Sequence, residues 1–461
     1  MDVKIASAIR IRNPSKEIMR WCNSNLVLPN PEYIKKAKMG FWTGNTPQTL
    51  SLYEKQGDTV ILPFGTLRAI QPLLREVEIE PGFPPIYTID YGGESVPLYD
   101  YQQEAVQILS KAKFGILQSA AGSGKTQMGI ALVKAYKRPA LWITHTADLL
   151  RQSKERAERY IDRTLIGTIT DGKVNIGSGI TFATVQTLAR LDLWQYRNLW
   201  DVVIVDECHH VAGSPTTVTQ FYRVLNNLNA RHKYGLSATV HRSDGLIAAT
   251  HALLGETVWT VSDEAIADKI MKVGVRARYT HTPLSDCCLN PDGTLSYVRL
   301  IHYLTADEER NRLILTDLIA EAEHPCLILS DRLDHLSVLM ESLPPWMRDK
   351  AVMISGRMGS RKGKEEREAA LQAMRDGRMQ YLFATYSLAK EGLDIPRLER
   401  LFMTTPVKDE AVVIQSIGRI ARTHDGKQFP TAYDYVDNIR FCQRAYRERV
   451  SHYKKIGASC I

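Results

Sequence analysis

At 461 residues the chain is too long for a single compact core, which predicts about two to four domains. Hydrophobic residues make up 44% of it and charged residues 24%, and no low-complexity tract interrupts them, as in an ordinary globular protein. The formal net charge of +8 favours a polyanionic partner such as nucleic acid, although surplus surface lysines give the same number.

The sequence also argues against several classes of protein. No stretch approaches the ~20 apolar residues that a membrane span requires, and the start, Met1–Lys4, lacks the apolar core of a secretory signal. Seven scattered cysteines show no CxxC pair and no Cys/His spacing for zinc. We therefore expect a cytoplasmic protein with reduced thiols and no membrane partner.

Residues 1–94 contain many Pro, Gly and Asn breaks, a pattern that favours a small α+β module. Through residue 75 this segment has 11 Lys and Arg against 5 Asp and Glu, a net charge of +6. The module is therefore expected to carry much of the excess positive charge of the chain.

From residue 95 onward, short apolar runs alternate with helical patterns, as in βα units around a parallel sheet. The predicted strands of residues 95–265 are Phe114–Leu117, Ala140–Thr144, Ile180–Ala183, Val202–Val205 and Lys233–Leu236. Those of residues 266–461 are Cys326–Ser330, Ala351–Ile354, Tyr381–Ala384, Leu401–Thr404 and Ala432–Val436. The sequence thus predicts an α/β fold with two lobes of similar size behind the N-terminal module.

Residues 114–126 read as a strand, a loop of small residues and the start of a helix. Small residues allow backbone N–H groups to close around phosphate oxygens, and the new helix directs its positive end at them. Lys125 would reach the β- and γ-phosphates, and Thr126 would offer a hydroxyl to Mg²⁺. Ser119 stands where the strict pattern has glycine, and an ordinary strand–helix turn is the alternative. The small residues expected to contact the nucleotide are Gly122, Ser123 and Gly124.

A second motif follows 81 residues downstream of Lys125. An apolar strand ends in Asp206 and Glu207, at the carboxyl end where open α/β sheets place their ligands. Asp206 suits coordination of Mg²⁺, and Glu207 suits orienting and polarising the attacking water. The two motifs together predict hydrolysis of ATP with Mg²⁺; a surface turn is the alternative for the acid pair.

These motifs belong to an ordered series that resembles helicase superfamily 2 over residues 95–440. Asp206–His209 resembles the DExH box of the family, Ser237–Thr239 its coupling motif, and Leu98–Gln102 its adenine-recognising segment. The resemblance makes Gln102 the candidate base reader. It also implies two tandem RecA-like lobes.

In the second lobe, residues 415–422 resemble the QxxGRxxR motif of the family and residues 391–396 its motif V. The spacing of the first predicts that its glutamine and two arginines share one helical face. An arginine supplied across a cleft stabilises charge on the transferring phosphoryl group, so hydrolysis would depend on closure of the lobes. The residues so implicated are Gln415, Arg419 and Arg422 in catalysis, and Gly392 and Asp394 in nucleotide binding.

The resemblance also implies contacts to a nucleic-acid strand. Loops directly after strands suit phosphate contacts without sequence readout. In the lobes the candidates are Thr144, Thr184, Gln186, Arg332 and Thr385; in the N-terminal module they are Lys35, Lys36 and Lys38, with Phe41 or Trp42 stacking at a junction. Solvated lysines and a core position for the aromatic pair are the alternatives.

Within the superfamily the box, the short lobes and the compact N-terminal module look most similar to the UvsW, XPB and RecG group, which acts on duplex or branched DNA. The resemblance implies an ATP-dependent DNA helicase or translocase for branch migration, recombination and repair, encoded by a bacteriophage and monomeric in the host cytoplasm. Its partners would be branched, forked or duplex DNA, and single-stranded DNA. An RNA helicase and the motor subunit of a restriction-type assembly are the alternatives. We also expect that deleting residues 1–90 leaves the ATP site folded.

Overall fold

A computed structural model describes residues 1–74, 79–85, 87–120, 122–212, 214–238, 246–262, 265, 270–355, 361–390, 393 and 395–461. The chain divides into two compact units. The first holds Met1–Ala120 and Gly124–Ser262, and the second holds Ala121–Ser123 and Asp263–Ile461. In the described part of the chain, no helix is both long and apolar enough to cross a membrane.

The first unit begins with a small mixed sheet and short helices. Its elements are β1 (Asp2–Ile5), β2 (Ala8–Arg12), α1 (Lys16–Asn25), β3 (Val27–Pro29), α2 (Pro31–Lys38), β4 (Thr49–Ser51), β5 (Glu54–Gln56), β6 (Thr59–Pro63), α3 (Leu67–Ile70) and β7 (Ile79–Pro81). Five strands form a sheet in the order β5-β6-β2-β1-β7, antiparallel except for the β1–β7 pair. β3 and β4 pair with each other in a separate ribbon.

The rest of the first unit is a parallel α/β lobe. Its elements are α4 (Asp100–Ala112), β8 (Phe114–Gln118), α5 (Lys125–Tyr136), β9 (Ala140–Thr144), α6 (Ala147–Ala157), β10 (Ile166–Thr170), β11 (Lys173–Asn175), β12 (Ile180–Thr184), α7 (Val185–Leu188), β13 (Val202–Asp206), α8 (Pro215–Leu225), β14 (His232–Ser237), α9 (Ile247–Leu254) and β15 (Thr257–Thr260). The strand order is β11-β10-β12-β9-β13-β14-β8-β15, and only the β10–β11 pair is antiparallel.

The central strands of this lobe are buried along their whole length. Every residue of β9, β12, β13 and β14 is buried, which matches the apolar runs of β9 and β13, whereas β14 buries polar side chains as well. Because neighbouring strands run parallel, their carboxyl ends meet at one edge, and the loops that follow β8, β9, β12, β13 and β14 lie there together.

The N-terminal elements share a hydrophobic core with the lobe. Apolar residues from β1, β2, α1 and β6 pack in one cluster with Phe114 of β8, Val218 of α8 and Ala249 of α9. The backbones also approach closely: a Cβ on Gly65 would lie 2.3 Å from the nitrogen of Gly255. Deleting residues 1–90 would therefore expose part of the core of this lobe, which argues against a removable module. The boundaries 1–94, 95–265 and 266–461 stay a prediction.

A buried lysine lies where the N-terminal elements meet the lobe. Lys233 of β14 is fully buried, and its Nζ donates to the carbonyl oxygens of Ser7 and Leu225, each at 2.7 Å. The ammonium also lies 4.8 Å from the ring centroid of Phe64. Among the described residues no carboxylate forms an ion pair with Lys233, and burial lowers the pKa of its ammonium to about 7.

The second unit is another parallel α/β lobe. Its elements are β16 (Gly274–Tyr279), α10 (Tyr297–Ala306), α11 (Glu308–Ala320), β17 (Cys326–Ser330), α12 (Leu333–Glu341), α13 (Pro345–Arg348), β18 (Ala351–Met353), α14 (Arg361–Arg375), β19 (Tyr381–Thr385), α15 (Tyr386–Lys390), β20 (Arg400–Met403), α16 (Glu410–Ile420), β21 (Thr431–Val436), α17 (Arg440–Lys455) and β22 (Ser459–Cys460). The order β18-β19-β17-β20-β21-β16-β22 is parallel throughout.

Buried ion pairs fix the helices of this lobe to its sheet. Arg449 of α17 donates from Nε and Nη2 to both carboxylate oxygens of Asp434 in β21, each at 2.8 Å. Arg310 of α11 donates to Asp437 at 2.6 Å, and both side chains are fully buried. Removing one partner of such a pair would leave a buried charge without its counterion, so each pair constrains how its helix sits on the sheet.

All ten predicted strands are confirmed, and their ends differ from the prediction by one residue at most. The strands that sequence reasoning missed are mostly at sheet edges or short, such as β11, β15 and β22. β16 was also missed, although it is an inner strand of its sheet.

The buried lysine gives a prediction about stability. The unfolded chain holds the Lys233 proton up to a pKa near 10.5, whereas the folded chain releases it near 7. Since the unfolded state binds more protons between these values, this lysine makes folding more favourable as pH rises from about 7 toward 10. The melting temperature of wild type minus that of Lys233→Met should therefore increase between pH 7 and pH 9.5.

Thermal unfolding at several pH values measures this difference. Lys111→Met, at an exposed position of α4, serves as the control and should give a difference that does not change with pH. A pH-independent difference for Lys233→Met as well would contradict a lowered pKa at this site.

Candidate functional site: a nucleotide-binding edge

The loop between β8 and α5 has the geometry of a phosphate cradle. Gly122 and Gly124 have positive φ values of 87° and 82°, so the chain turns sharply into the N-terminus of α5. Lys125, in the first turn, is buried, and its Nζ donates to the carbonyl oxygens of Ser119 and Ala120 at 3.2 and 3.3 Å. The lysine ammonium and the helix N-terminus thus converge on one loop, an arrangement that suits an anion. Ser123 is buried beside them, and Thr126 follows in the helix.

Gln102 lies against this loop. Its Nε2 is 2.5 Å from where a Cβ on Gly124 would be, so glycine is required there by contact as well as by φ. The Gln102 Oε1 accepts the backbone N–H of Tyr99 at 3.0 Å and caps α4, and its Nε2 donates to the hydroxyl of Tyr101 at 3.2 Å. The structure therefore places the candidate base reader beside the phosphate loop.

Asp206 is the last residue of β13, and Glu207 follows it directly. Asp206 is buried, accepts the hydroxyl of Ser153 at 3.0 Å and accepts the N–H of Glu207 at 3.0 Å. Glu207 has a φ of +47°, a left-handed conformation that costs on the order of 1–3 kcal/mol for a residue with a side chain. The Glu207 Oε1 lies 3.9 Å from Nζ of Lys125, so the two motifs meet in one site.

The electrostatics of this acid pair suit a divalent cation. Burial, and then repulsion from Glu207, raise the pKa of Asp206. Burial alone would raise the pKa of Glu207 too, but Lys125 and His209 outweigh it and lower that pKa. A buried carboxylate whose charge is opposed by a second carboxylate is a donor that Mg²⁺ fits. Asp206 and Thr126 are the residues that would hold the ion, which neutralises phosphate charge when bound.

No cluster of three or more His, Cys, Asp or Glu side chains arranged to hold a metal occurs within the described ranges. Mg²⁺ at nucleotide sites commonly takes one or two protein ligands and completes its shell with phosphates and water. Asp206 and Thr126 would supply two such protein ligands.

Ser237, at the end of β14, contacts both motifs. β14 lies between β13 and β8 in the sheet. The Ser237 carbonyl oxygen accepts the N–H of Ser119, at 2.9 Å, and its hydroxyl lies 3.0 Å from Nδ1 of His209. The same His209 nitrogen is 3.3 Å from Oε2 of Glu207. The third residue of this motif, Thr239, lies outside the described residues.

The first-lobe candidates for nucleic-acid contact lie along the same edge. The Thr144 hydroxyl donates to the carbonyl oxygen of Thr146 at 2.9 Å, and the hydroxyls of Thr184 and Thr187 are 2.9 Å apart. Both Thr144 and Thr184 are buried and shape their loops from within. Gln186 is half-buried in the first turn of α7.

The two second-lobe arginines do not share one helical face, contrary to the prediction from their spacing. α16 ends at Ile420, so Arg422 is not on it; Arg422 forms an antiparallel bridge with Ile270 instead. Ala421 caps the helix and the chain then pairs with Ile270, so the helical spacing does not extend to residue 422. Arg419 stays on the helix and donates to the carbonyl oxygen of Leu393 at 3.0 Å. Gln415 is buried.

Other second-lobe candidates lie at the carboxyl edge of their own sheet. Arg332 follows β17, and its backbone N–H donates to the hydroxyl of Ser330 at 3.1 Å. Thr385 ends the neighbouring strand β19, with its hydroxyl 3.0 Å from that of Ser387. Gly392 and Asp394 lie outside the described residues, so their assignment to the nucleotide site stays a prediction.

In the N-terminal elements, the aromatic pair is exposed, which rules out the core alternative. Phe41 is 64% exposed and Trp42 88% exposed. Lys35 and Lys38 are exposed on α2. Lys36 differs, because its Nζ donates to the hydroxyl of Thr46 at 2.8 Å and lies 2.7 Å from Oε1 of Glu32.

Sequence reasoning missed two kinds of residue in the site. Ser153 lies on α6, and no motif spacing points to a serine there as the partner of Asp206. His210 stands directly after the box, yet only the structure shows that its ring contacts the rings of His209 and His145.

Comparison with known proteins identifies both lobes. Residues 95–242 match the family described as "Type III restriction enzyme, res subunit", and residues 310–424 match "Helicase conserved C-terminal domain". The chain is 27% identical to the DNA 3'-5' translocase XPB2 of Sulfurisphaera tokodaii, over 77% of this chain and 85% of that protein. It is 21% identical to the ATP-dependent DNA helicase uvsW of Enterobacteria phage T4, over 75% of this chain and 70% of that protein.

A solved structure supports the fold. Saccharomyces cerevisiae Dbp5, crystallised with RNA and ADP BeF3, is similar with a TM-score of 0.56 at 16% identity, covering 87% of this chain and 94% of that one. The predicted fold class, two tandem RecA-like lobes, is confirmed.

The nucleotide site gives a prediction about turnover. Lys125→Ala should reduce ATP hydrolysis to background, because the only ammonium that we place in the phosphate loop is lost, while affinity for DNA changes little. A malachite-green assay of released phosphate and DNA binding measured by fluorescence anisotropy check the two halves of this statement. Lys111→Ala, at an exposed lysine of α4, is the matched control. Normal turnover by Lys125→Ala would place the site elsewhere.

Proposed function

We propose that this chain, which belongs to helicase superfamily 2, uses ATP hydrolysis to move along branched or duplex DNA and to migrate junctions or regress forks. The observation that carries the ATP chemistry is that Lys125 meets the buried Asp206 and the half-buried Glu207 at the edge of one sheet. Its relatives include a protein named a DNA translocase and one named a DNA helicase, which favours DNA as the track.

In this proposal each residue of the first lobe has a separate task. Lys125 and the N-terminus of α5 bind the phosphates of ATP. Asp206 and Thr126 hold Mg²⁺. Glu207, whose lowered pKa keeps it ionised at neutral pH, orients the attacking water.

The arginines of the second lobe complete the proposal. Arg419 lies on α16 and Arg422 just beyond it, and the family resemblance assigns both to the phosphates of ATP. An arginine supplied by a second lobe acts only when the two lobes are close, so each hydrolysis event is tied to their movement. Gln415, buried on the same helix as Arg419, belongs to the same motif.

The preference for branched DNA rests on the N-terminal tip, Met39–Thr46. Met39, Phe41 and Trp42 are all more than half exposed there, beside Lys35 and Lys38 of α2. Aromatic rings stack on unpaired bases of any sequence, and lysines attract the adjoining phosphates. Unpaired or unstacked bases occur where strands diverge, so we infer that this tip contacts DNA at a branch point.

The tip is held in place by its base. Asn30 is buried, and its side-chain Nδ2 donates to the carbonyl oxygen of Pro47 at 2.8 Å. The backbone N–H of Asn30 donates to the carbonyl oxygen of Gln48 at 2.9 Å. Lys36 bonds to Thr46 at the far side of the tip. These contacts close the segment into a stiff loop whose aromatic side chains point to solvent.

ATPase measurements test the proposed function. The purified chain should hydrolyse ATP faster with a four-way junction or fork than with plain duplex or single-stranded DNA, and RNA should stimulate least. Steady-state rates at saturating concentration of each nucleic acid provide the comparison, with Lys125→Ala as the background.

Two outcomes would replace the proposal. Stimulation by RNA alone would identify an RNA helicase. A rate unaffected by any nucleic acid would favour the motor subunit of a larger assembly, an alternative that the match to a restriction-enzyme family favours. A bacteriophage origin, host cytoplasmic location and monomeric state complete our proposal, and sedimentation of the purified chain measures the last.

The N-terminal tip gives its own prediction. Trp42→Ala should weaken binding to a fork by about 1–3 kcal/mol, the range for loss of one aromatic–base stack, with little effect on fully paired duplex. Fluorescence anisotropy with labelled fork and duplex measures both affinities.

A second exposed tryptophan provides the control. Trp194 is 70% exposed in the ATP-binding lobe, with the guanidinium of Arg197 3.2 Å from its ring centroid. Trp194→Ala should leave fork affinity unchanged. Equal losses for both variants, or no loss for Trp42→Ala, would show that the tip does not contact the branch.

A further inference from the structure

A row of histidine rings runs along the carboxyl edge of the first lobe, away from the phosphate loop. The ring of His210 lies 4.2 Å, centroid to centroid, from that of His209 and 4.7 Å from that of His145. The His210 and His145 rings are stacked with an interplanar angle of 14°. His210 thus lies between one histidine of the DExH box and one of the loop after β9.

Both ends of the row are attached to functional loops. At one end His209 Nδ1 is 3.3 Å from Oε2 of Glu207 and 3.0 Å from the hydroxyl of Ser237. At the other end Gln186 Nε2 donates to the carbonyl oxygen of His145 at 2.9 Å and lies 3.3 Å from Nδ1 of its ring. The loops of His145 and Gln186 are the ones that the family resemblance assigns to the nucleic-acid strand.

The sheet explains why the row is continuous. The loops involved follow β13, β9 and β12, which are consecutive in the strand order and parallel. Their carboxyl ends are therefore side by side, and the stacked rings of His210 and His145 span the gap between two of these loops. Because His209 contacts His210 in turn, a displacement of the loop carrying His145 would reach His209 through direct ring contacts.

We propose that His210 is a positioning residue that couples the nucleic-acid loops to the catalytic acid: occupancy of the His145 and Gln186 loops moves the ring row and, through His209, sets the orientation of Glu207. The inference rests on the proposed function, because it requires that nucleic acid stimulates hydrolysis. It adds a residue outside the family motifs and a route by which stimulation reaches the ATP site.

The ring of His210 is the contact between His209 and His145. The imidazole of His210 also acts electrostatically on Glu207, so its removal changes the surroundings of that carboxylate as well. Loss of that contact separates the two loops without removing either.

The test compares basal and DNA-stimulated turnover. His210→Ala and His210→Phe both remove the imidazole near Glu207, so any change in basal kcat should be the same in the two variants. The stimulation of kcat by saturating DNA should fall roughly 2- to 30-fold in His210→Ala alone, with DNA affinity within about two-fold of wild type. His210→Phe keeps a flat ring between the two neighbours and should restore most of the stimulation. If His210 only stabilised the fold, His210→Ala would lower the basal kcat, the melting temperature and the stimulation together. His210→Phe would then not recover the stimulation separately from the other two.

A half-buried histidine elsewhere in the same unit is the matched control. His251, on α9, lies near Gly65 and outside the site, and His251→Ala should leave the stimulation factor unchanged. The double variant His145→Ala with His210→Ala should lose no more stimulation than the more affected single variant, because both remove the same contact.

The outcomes separate this inference from the proposed function. A wild-type chain that no nucleic acid stimulates contradicts the proposed function and the coupling with it. A stimulated wild type whose His210→Ala variant keeps full stimulation overturns the coupling alone, as does a double variant whose two losses multiply.

Discussion

The ATP site depends on placing two adjacent carboxylates at the end of a fully buried strand. Burial opposes the charge of both Asp206 and Glu207, and nearby groups offset it, among them Lys125, His209, His210 and Ser153. The order of strands supplies these groups, because β13, β14 and β8 are neighbours and end at one edge. Ser237, at the end of the middle strand, bonds to both sides. The sheet order is thus the constraint from which the site follows.

Much of the fold and the ATP motifs was predictable because the signals are local. Apolar runs located β8, β13 and β17, and the small-residue loop and paired acids located the two halves of the site. The reach of Lys125 toward Glu207 followed from parallel strand ends. Local patterns could not predict which side chains meet across the sheet. The contact of Ser153 with Asp206 and the ring contacts of His210 depend on the strand order and on loop conformation.

One expectation failed, and the structure argues against another, for physical reasons that spacing does not encode. Helical spacing put Arg422 on one face with Gln415, but α16 ends at Ile420 and a bridge to Ile270 takes over. Composition marked the N-terminal residues as a separable module, yet their sheet completes the core of the ATP-binding lobe, and Lys233 of that lobe donates to Ser7. Charge and turn content describe surfaces and breaks in the chain, and they carry little information on which apolar faces are shared.

The hydrogen bonds of Lys36 have a consequence for how DNA binding should respond to ionic strength. A lysine that neutralises a phosphate releases a condensed counterion. On duplex DNA each such contact makes the slope of the logarithm of the association constant against the logarithm of salt concentration more negative by about 0.9. Lys36 already has Glu32 and Thr46 as partners, and a phosphate would have to compete with them. If α2 contacts DNA as proposed, Lys35 and Lys38 should displace counterions more readily than Lys36, and the salt dependence of binding should be shallower than three lysines suggest.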